Sequence, residues 1–303
     1  MDFVMNKIRD KYIIGVIALV LSAFLTAASQ VYYGNKVQAV HPFLFTGISF
    51  FITTCYFQWF SRKESFSYRW NKARFSLLKL NLSSMLAFMG FYFALKYIEP
   101  AIVSSLEMGV GPLFVVFIAL LQRQRVNIGN SMIAVGTLLT TILLIYAVFM
   151  GQSAVKVHWD IYLLLGVIAS ITAGLGAVLS AIYSKELSRM GWTSSMILSK
   201  RFYGIILLSF IFTYDLILDY LAGNIGWILL VTLSGVLIPM YLLQKGIQYC
   251  ATFVVMMSLS FIPVITFFLQ MFDPRLEWSN LTLIGVILLC CLGILSVYIE
   301  RKS

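Results

Sequence analysis

Charged side chains are scarce in this sequence. Asp, Glu, Lys and Arg together make up 11% of its 303 residues, whereas hydrophobic residues make up 60%. A soluble domain is about a quarter charged, and a soluble core built from a chain of this length does not bury so large an apolar surface. The scarcity of charge therefore excludes a soluble protein and favours an integral membrane protein.

Histidine and cysteine are also rare, and they do not cluster. The two histidines, His41 and His158, are far apart, and the four cysteines lie inside apolar runs without a CxxC pair. Metal sites and Ser/His/Asp or Cys/His active sites need such residues in groups, and the Walker A pattern of ATP hydrolysis is missing as well. We therefore expect no metal, no cofactor and no enzymatic activity.

Acidic residues are fewer than basic ones, 12 against 22, which leaves a formal net charge of +10. The basic residues lie between apolar runs and do not form a basic face interleaved with stacking aromatics, so nucleic-acid binding is not expected. With the N-terminus in the cytoplasm, seventeen of the 22 basic residues fall on the cytoplasmic side and four fall outside. Cytoplasmic loops carry such an excess. We therefore predict a multi-pass protein of the cytoplasmic (inner) membrane with both termini in the cytoplasm.

Long apolar runs are what the sequence has in abundance, and about 20 apolar residues form one bilayer span. Ten such runs predict an all-α integral membrane protein with about ten transmembrane helices. The first run follows three basic residues, as in a signal peptide, but it is longer than a signal peptide's apolar core and is predicted to stay as a span. The runs are Tyr12–Tyr33, Pro42–Phe60, Phe75–Leu95, Ala101–Leu121, Ile128–Met150, Asp160–Ser184, Ser195–Tyr214, Gly226–Gln244, Thr252–Phe272 and Asn280–Tyr298.

The two halves of the sequence share an ordered series of matches. At an offset of 151 residues, Gly15–Ala18 recurs as Gly166–Ala169, and Pro112 falls on Pro263. Single matches between apolar helices arise by chance, but an ordered series favours a duplication. Because each half has five spans, an odd number, the second half would insert upside down as an inverted repeat. The predicted repeats are residues 1–152 and 153–303.

Several short motifs occur at characteristic places in these runs. They are Phe93–Ile98, Ser104-Ser105, Gly111-Pro112, Gly129, Gly136, Arg201-Phe202, Gly246–Tyr249, Pro263, Gly285 and Gly293. With them the chain resembles the drug/metabolite transporter superfamily, in its ten-span EamA-like branch. The resemblance implies a cavity between spans one to four and six to nine, with spans five and ten at the periphery. It also implies a carrier driven by protons or by exchange, usually an exporter of small amphipathic metabolites.

Two places depart from the family's pattern. Arg123–Arg125 stands where the family usually has an acidic residue after the fourth helix of the repeat. Ser49-Phe50 stands where the family has a basic residue in span two. The substrate of a family member is therefore not transferred to this chain.

The most informative single residue is Glu107, which lies about two turns inside the fourth run. A carboxylate in hydrocarbon costs roughly 3 kcal/mol on insertion scales, so its side chain is expected to face the protein interior. Two roles stay open for Glu107. One is proton coupling or recognition of a substrate amine, and the other is a structural ion pair with a basic residue. The candidate ion-pair partners are Lys79, Lys200 and Arg201.

Further polar residues inside the runs are candidates for the wall of a substrate cavity. Lys200 and Arg201 lie about two turns inside the seventh run, where each either snorkels to the surface or binds an anionic group. Helix–helix hydrogen bonds explain the serine, threonine and amide side chains equally well. Prolines in spans four and nine predict bends near two gates, although tolerated kinks explain them as well. The predicted substrate-binding residues are Glu107, Ser104, Ser105, Arg201, Lys200, Thr26, Gln30, Asn81 and Tyr92, and the predicted gating residues are Pro112 and Pro263.

Together these features predict a secondary active transporter that works by alternating access. Its expected cargo is a small amphipathic metabolite, such as an amino acid, an amino acid derivative or a drug-like compound, and the expected direction is export. An importer or exchanger of the same fold is the alternative within transport, and a membrane enzyme, an assembly factor or a lipid flippase is the alternative from another class. The predicted partners are the substrate, the lipid bilayer, and protons or a counter-substrate, for a monomer or homodimer.

Overall fold

The structure, a computed structural model, describes residues 2–36, 40–62, 70–123, 126–154, 160–216, 225–250, 252–273 and 276–300. Regular secondary structure in these ranges is helical throughout, and the described residues form no strand. The helices are α1 (Asp2–Lys36), α2 (Pro42–Ser61), α3 (Trp70–Ala94), α4 (Pro100–Leu121), α5 (Ile128–Phe149), α6 (Ile161–Arg189), α7 (Ser194–Leu198), α8 (Tyr203–Thr213), α9 (Ile225–Tyr249), α10 (Thr252–Leu259), α11 (Ile262–Gln270) and α12 (Asn280–Glu300).

Local sequence explains where several helices begin. Pro42 and Pro100 are the first residues of α2 and α4, where a missing backbone N–H costs nothing because the helix does not use it. Asn127 caps α5 by accepting a hydrogen bond from the N–H of Gly129 at 2.9 Å. Thr193 caps α7 in the same way, because its hydroxyl accepts from the N–H of Met196 at 3.2 Å.

Eight helical stretches of the described chain are long and apolar enough to cross a bilayer. They comprise α1 to α6, the stretch that contains α7 and α8, and α9, and they coincide with the first eight apolar runs. The ninth run is divided into the short helices α10 and α11, and the apolar part of α12, Asn280–Leu295, is shorter than a full span. The predicted all-α membrane architecture is confirmed, and the chain is a multi-pass helical membrane protein.

The outward faces of the helices are apolar. Large side chains such as Phe75, Leu139 and Leu207 are 63–66% exposed. Each of the eight long helices buries only half or less of its most apolar window against the rest of the chain. A soluble protein rarely exposes so much apolar surface, whereas lipid chains cover it at no cost.

The helices pack in a bundle with two central pairs. α3 lies along α6, and α1 lies along α9. α4 contacts α5, α6 and α11, and α2 contacts α8. α5 packs chiefly on α4 and α12, which places both α5 and α12 at the edge of the bundle.

Glycines on α6 allow it to approach α3 and α4 closely. A Cβ atom at Gly176 would lie 2.4 Å from the backbone nitrogen of Ala87 on α3. A Cβ atom at Gly174 would lie 2.5 Å from the carbonyl oxygen of Glu107 on α4. Because such contacts involve backbone atoms that do not move aside, these two glycines set how close the helices come.

Three interruptions of the helices lie near the centre of the bundle. Ser199–Phe202 separates α7 from α8, and a π-helical turn at Thr232–Leu237 interrupts α9. Pro239 follows this turn and lacks the N–H that an α-helix would use to bond the carbonyl of Gly235, which favours the irregular turn. A further break precedes Pro263 at the start of α11, whereas α4 continues through Pro112 without a break.

Candidate functional site: a cavity in the centre of the bundle

A cavity lies in the centre of the bundle. Residues of α1 to α4, α6, α9, α10 and α11 line it, together with the break between α7 and α8. Among the described residues, none from α5 or α12 contributes to the lining, so the cavity has the position that the family resemblance implies. About 90 Å³ of its space is open to water-sized molecules, several times the roughly 10–15 Å³ that one water needs. A small organic molecule therefore fits here with limited adjustment.

The wall of the cavity is mainly apolar and aromatic. Phe50 of α2 and Phe88 and Phe91 of α3 line it, and the rings of Phe50 and Phe88 are 4.7 Å apart. Met108 of α4 and Met240 of α9 complete this wall. Apolar walls with a few placed polar groups are typical of small-molecule sites.

Arg201 brings one positive charge to the cavity. Its side chain is 4% exposed, and its Nε donates a hydrogen bond to Ser84 Oγ at 2.9 Å. The guanidinium carbon lies 5.6 Å from the centre of the Phe88 ring and 5.5 Å from that of Phe202. Such ring contacts favour a buried cation by about 1–2 kcal/mol, which offsets only part of the cost of its burial.

The break between α7 and α8 positions Arg201, and Asn81 holds the two sides of this break together. The Asn81 nitrogen donates to the carbonyl oxygen of Lys200 at 2.8 Å. The Asn81 side-chain oxygen accepts from the N–H of Gly204 at 3.1 Å. These bonds satisfy backbone groups that the interrupted helix leaves without partners, so a non-helical turn persists inside the membrane protein.

Glu107 brings an ionisable carboxyl group to the same cavity. It lies on α4 and is partly buried, and Tyr92 of α3 is close enough to interact with it electrostatically. Among the described residues, Glu107 forms no ion pair with any of its three predicted partners. Lys79 is instead exposed with its amino group 5.5 Å from the Tyr183 ring centre, and Lys200 donates to the hydroxyl of Tyr203 at 3.0 Å.

Other predicted residues also reach the cavity. Thr26 and Gln30 of α1 line it, as does Tyr92. Gln30 is buried, and its side-chain oxygen accepts a hydrogen bond from the hydroxyl of Thr266 at 3.2 Å. With Glu107 and Arg201, these residues form the polar part of the lining.

The remaining predicted residues lie outside the lining. Ser104 and Ser105 are buried, and their hydroxyls donate to carbonyl oxygens one turn earlier in α4, those of Pro100 and Ala101. Lys200 lies within the break between α7 and α8, and Asn81 binds this break from α3. Pro112 and Pro263 lie on α4 and α11, which both line the cavity, but neither proline contributes to the described wall.

Several lining residues were not predicted from the sequence. Phe88 and Phe91 are three residues apart on α3, and Tyr92 follows four residues after Phe88, so the three side chains share a helix face. This spacing was the available signal, but aromatic residues on a lipid-facing surface give the same pattern. Gly235, which contacts Ser29 of α1 at the π-helical turn, gave no signal in the sequence.

Comparison with known proteins gives a fold and no family. No family model matches this chain, and no curated protein matches it. Seventeen chains of solved structures match it. One of them, described only as the crystal structure of a protein, aligns over 97% of this chain and 98% of its own, with a TM-score of 0.64 and 18% sequence identity. At this identity the likeness shows a shared fold over nearly the whole chain.

Proposed function

We propose that this chain is a secondary active transporter, an EamA-like member of the drug/metabolite transporter superfamily that exports a small amphipathic metabolite. The observation that carries the proposal is the central cavity, whose lining contains the Arg201 guanidinium group and the Glu107 carboxyl group, which do not pair with each other among the described residues. Ionisable residues inside a membrane protein are costly, and they mark substrate and ion pathways. The aromatic wall supplies the apolar half of an amphipathic site.

Ten spans in two inverted repeats are part of the proposal, and the packing of the helices supports them. An inverted repeat relates each span to the span five places away in the sequence. Span three (α3) then corresponds to span eight (α9), and span six (α6) corresponds to span one (α1). The α3–α6 pair therefore corresponds to the α9–α1 pair, and both pairs form extensive contacts in the bundle. Span four (α4) corresponds to span nine, which contains α11. The contact of α4 with α6 therefore corresponds to the contact of α11 with α1, which is also present. A carrier built in this way has two states of similar energy that open to opposite sides of the membrane.

Untargeted metabolite profiling of cells and medium tests the proposal. Expression of the chain is expected to raise the extracellular amount of one class of amphipathic metabolite. Arg201→Gln is expected to abolish this rise at an unchanged amount of protein in the membrane, because the cavity loses its positive charge. Lys200→Gln is the matched control, since Lys200 is the neighbouring residue but does not line the cavity.

Two other outcomes would redirect the proposal. Accumulation of the metabolite inside cells would favour an importer of the same fold over an exporter. A metabolite profile that is identical with wild-type protein, with Arg201→Gln and without the protein would contradict a transport function.

A further inference from the structure

Arg201 has the features of a preorganised anion-binding site. Ser84 and Phe88 fix its guanidinium group at the cavity wall, and the side chain is 4% exposed. Nε is the one guanidinium nitrogen that donates a hydrogen bond to a described residue, so its two terminal amino groups keep their hydrogens for a ligand. A planar pair of N–H donors matches the two oxygens of a carboxylate or a phosphate.

The charge of the cavity favours a carboxylate over a phosphate. Arg201 is the one positively charged residue of the described lining. A phosphate monoester carries a charge of about −1.5 to −2 at neutral pH, which one arginine does not neutralise. A single carboxylate carries one negative charge and is neutralised by Arg201 alone.

The aromatic wall continues from Arg201 and suits an apolar body. The Phe88 ring lies beneath the guanidinium group, and the Phe50 ring packs against it at 4.7 Å. Phe91 extends the wall by one turn of α3. A ligand whose carboxylate binds Arg201 therefore places its apolar part against these rings.

The carboxylate site at Arg201 is complete without Glu107. Ser84 and Phe88 hold the guanidinium group, and among the described residues no hydrogen bond or ion pair joins it to Glu107. Recognition of a carboxylate by the guanidinium group does not require a second charge on the ligand. The cavity therefore does not depend on an amino group to hold an amphipathic acid.

We infer that the cavity selects an amphipathic monocarboxylate, with its carboxylate on Arg201 and its apolar body along the Phe50–Phe88–Phe91 wall, and that the ligand needs no amino group. This inference rests on the proposed function, because it names the substrate class of the same cavity. Glu107 remains available for proton coupling.

Equilibrium binding to the purified full-length protein in lipid nanodiscs tests the inference. Four probes of similar shape are titrated by calorimetry: 3-phenylpropanoate, 3-phenylpropanamide, 3-phenylpropylamine and L-phenylalanine. The propanoate is expected to bind at least about tenfold more tightly than the amide or the amine, because only the acid forms a charge-assisted hydrogen bond with the guanidinium group. L-phenylalanine is expected to bind no more tightly than the propanoate. Arg201→Gln is expected to abolish the preference for the acid, and Lys200→Gln to keep it.

Three results would overturn the inference: tighter binding of L-phenylalanine by about tenfold or more, equal binding of the acid and its amide, or no binding of the acid. Uptake of 3-phenylpropanoate into proteoliposomes is measured separately. Selective binding without uptake would support the carboxylate site and contradict the proposed transport function, so the two failures are distinguishable.

Discussion

At the scale of single residues, the position of Arg201 depends on an amide that does not touch the cavity. Asn81 joins the two sides of the break between α7 and α8 through hydrogen bonds with Lys200 and Gly204. Each such bond contributes about 1 kcal/mol, and a buried backbone group that loses its partner costs more. Asn81 therefore acts on a ligand only through the arginine that it positions.

Asn81→Leu is expected to weaken the binding of 3-phenylpropanoate by about tenfold, because the break no longer holds the guanidinium group in place. The binding of 3-phenylpropanamide should stay nearly unchanged, since this probe does not need the guanidinium charge. Calorimetry with both probes measures the difference. Lys79→Leu is the control, as Lys79 is exposed on the same helix. An equal loss for both probes would indicate general damage to the cavity instead of a positioning role.

Glu107→Gln tests the coupling role of the carboxyl group in the cavity. The variant keeps the shape of the side chain but removes its titratable proton, so transport in proteoliposomes should fall and lose its dependence on the pH gradient. Binding of 3-phenylpropanoate should persist, because Arg201 is unchanged. Asp160→Asn, at an exposed position before α6, is the control. A pH dependence equal to that of the wild type would rule out Glu107 as the coupling residue.

At the scale of helices, the small residues of α6 decide how the bundle closes around the cavity. Gly176→Ala is expected to lower the apparent melting temperature of the purified protein by about 3–10 °C, because the added methyl group meets backbone atoms of α3. Fluorescence-detected thermal unfolding in detergent measures the shift. Gly226→Ala is the control, because no atom lies within 4 Å of a Cβ at that position. An equal effect of both variants would mean that helix packing is not the cause.

A second contact between helices joins the ends of α6 and α9. The Lys185 amino group donates to the carbonyl oxygens of Ile247 at 2.7 Å and Cys250 at 2.5 Å. The hydroxyl of Ser194 donates to the side-chain oxygen of Gln248 at 2.9 Å in the same region. A lysine that satisfies the last carbonyls of a helix also compensates the negative end of its dipole. These contacts close one end of the cavity helices.

If this end opens during alternating access, a covalent link across it should stop transport. Ser194→Cys combined with Gln248→Cys, bridged by a bifunctional thiol reagent, is expected to reduce transport strongly, and reduction of the link should restore it. Each single variant treated with the reagent is the control, together with the unlinked double variant. Full transport by the linked protein would show that the carrier works without separating the start of α7 from the end of α9.

At the scale of the whole molecule, the orientation of the chain follows from its charges. Both termini are expected in the cytoplasm, because most lysines and arginines lie in segments that are then cytoplasmic. Fusion of a phosphatase that is active only outside the cytoplasm, and separately of a fluorescent protein, to the C-terminus measures this. Phosphatase activity of the C-terminal fusion would contradict the predicted topology and the inverted repeat.

The sequence by itself determined the class of the protein and the course of its spans. Hydropathy is a property of consecutive residues, so runs of about 20 apolar residues identify helices that must satisfy their own backbone in lipid. The break between α7 and α8 was not predicted. The residues on both sides of Ser199–Phe202 are apolar, as they would be in an uninterrupted transmembrane helix. The π-helical turn before Pro239 was missed for the same reason.

The site was determined by the tertiary structure, because which side chain faces a cavity depends on how each helix is rotated against its neighbours. Glu107, Arg201, Thr26, Gln30 and Tyr92 were predicted from polarity within apolar runs, and they line the cavity. Equally polar serines on α4 bond to their own helix. Asn81 on α3 bonds to the break in the seventh span instead of lining the wall. Close contacts at glycines and the positions of helix breaks fix these rotations, and both arise from residues that are distant in the sequence.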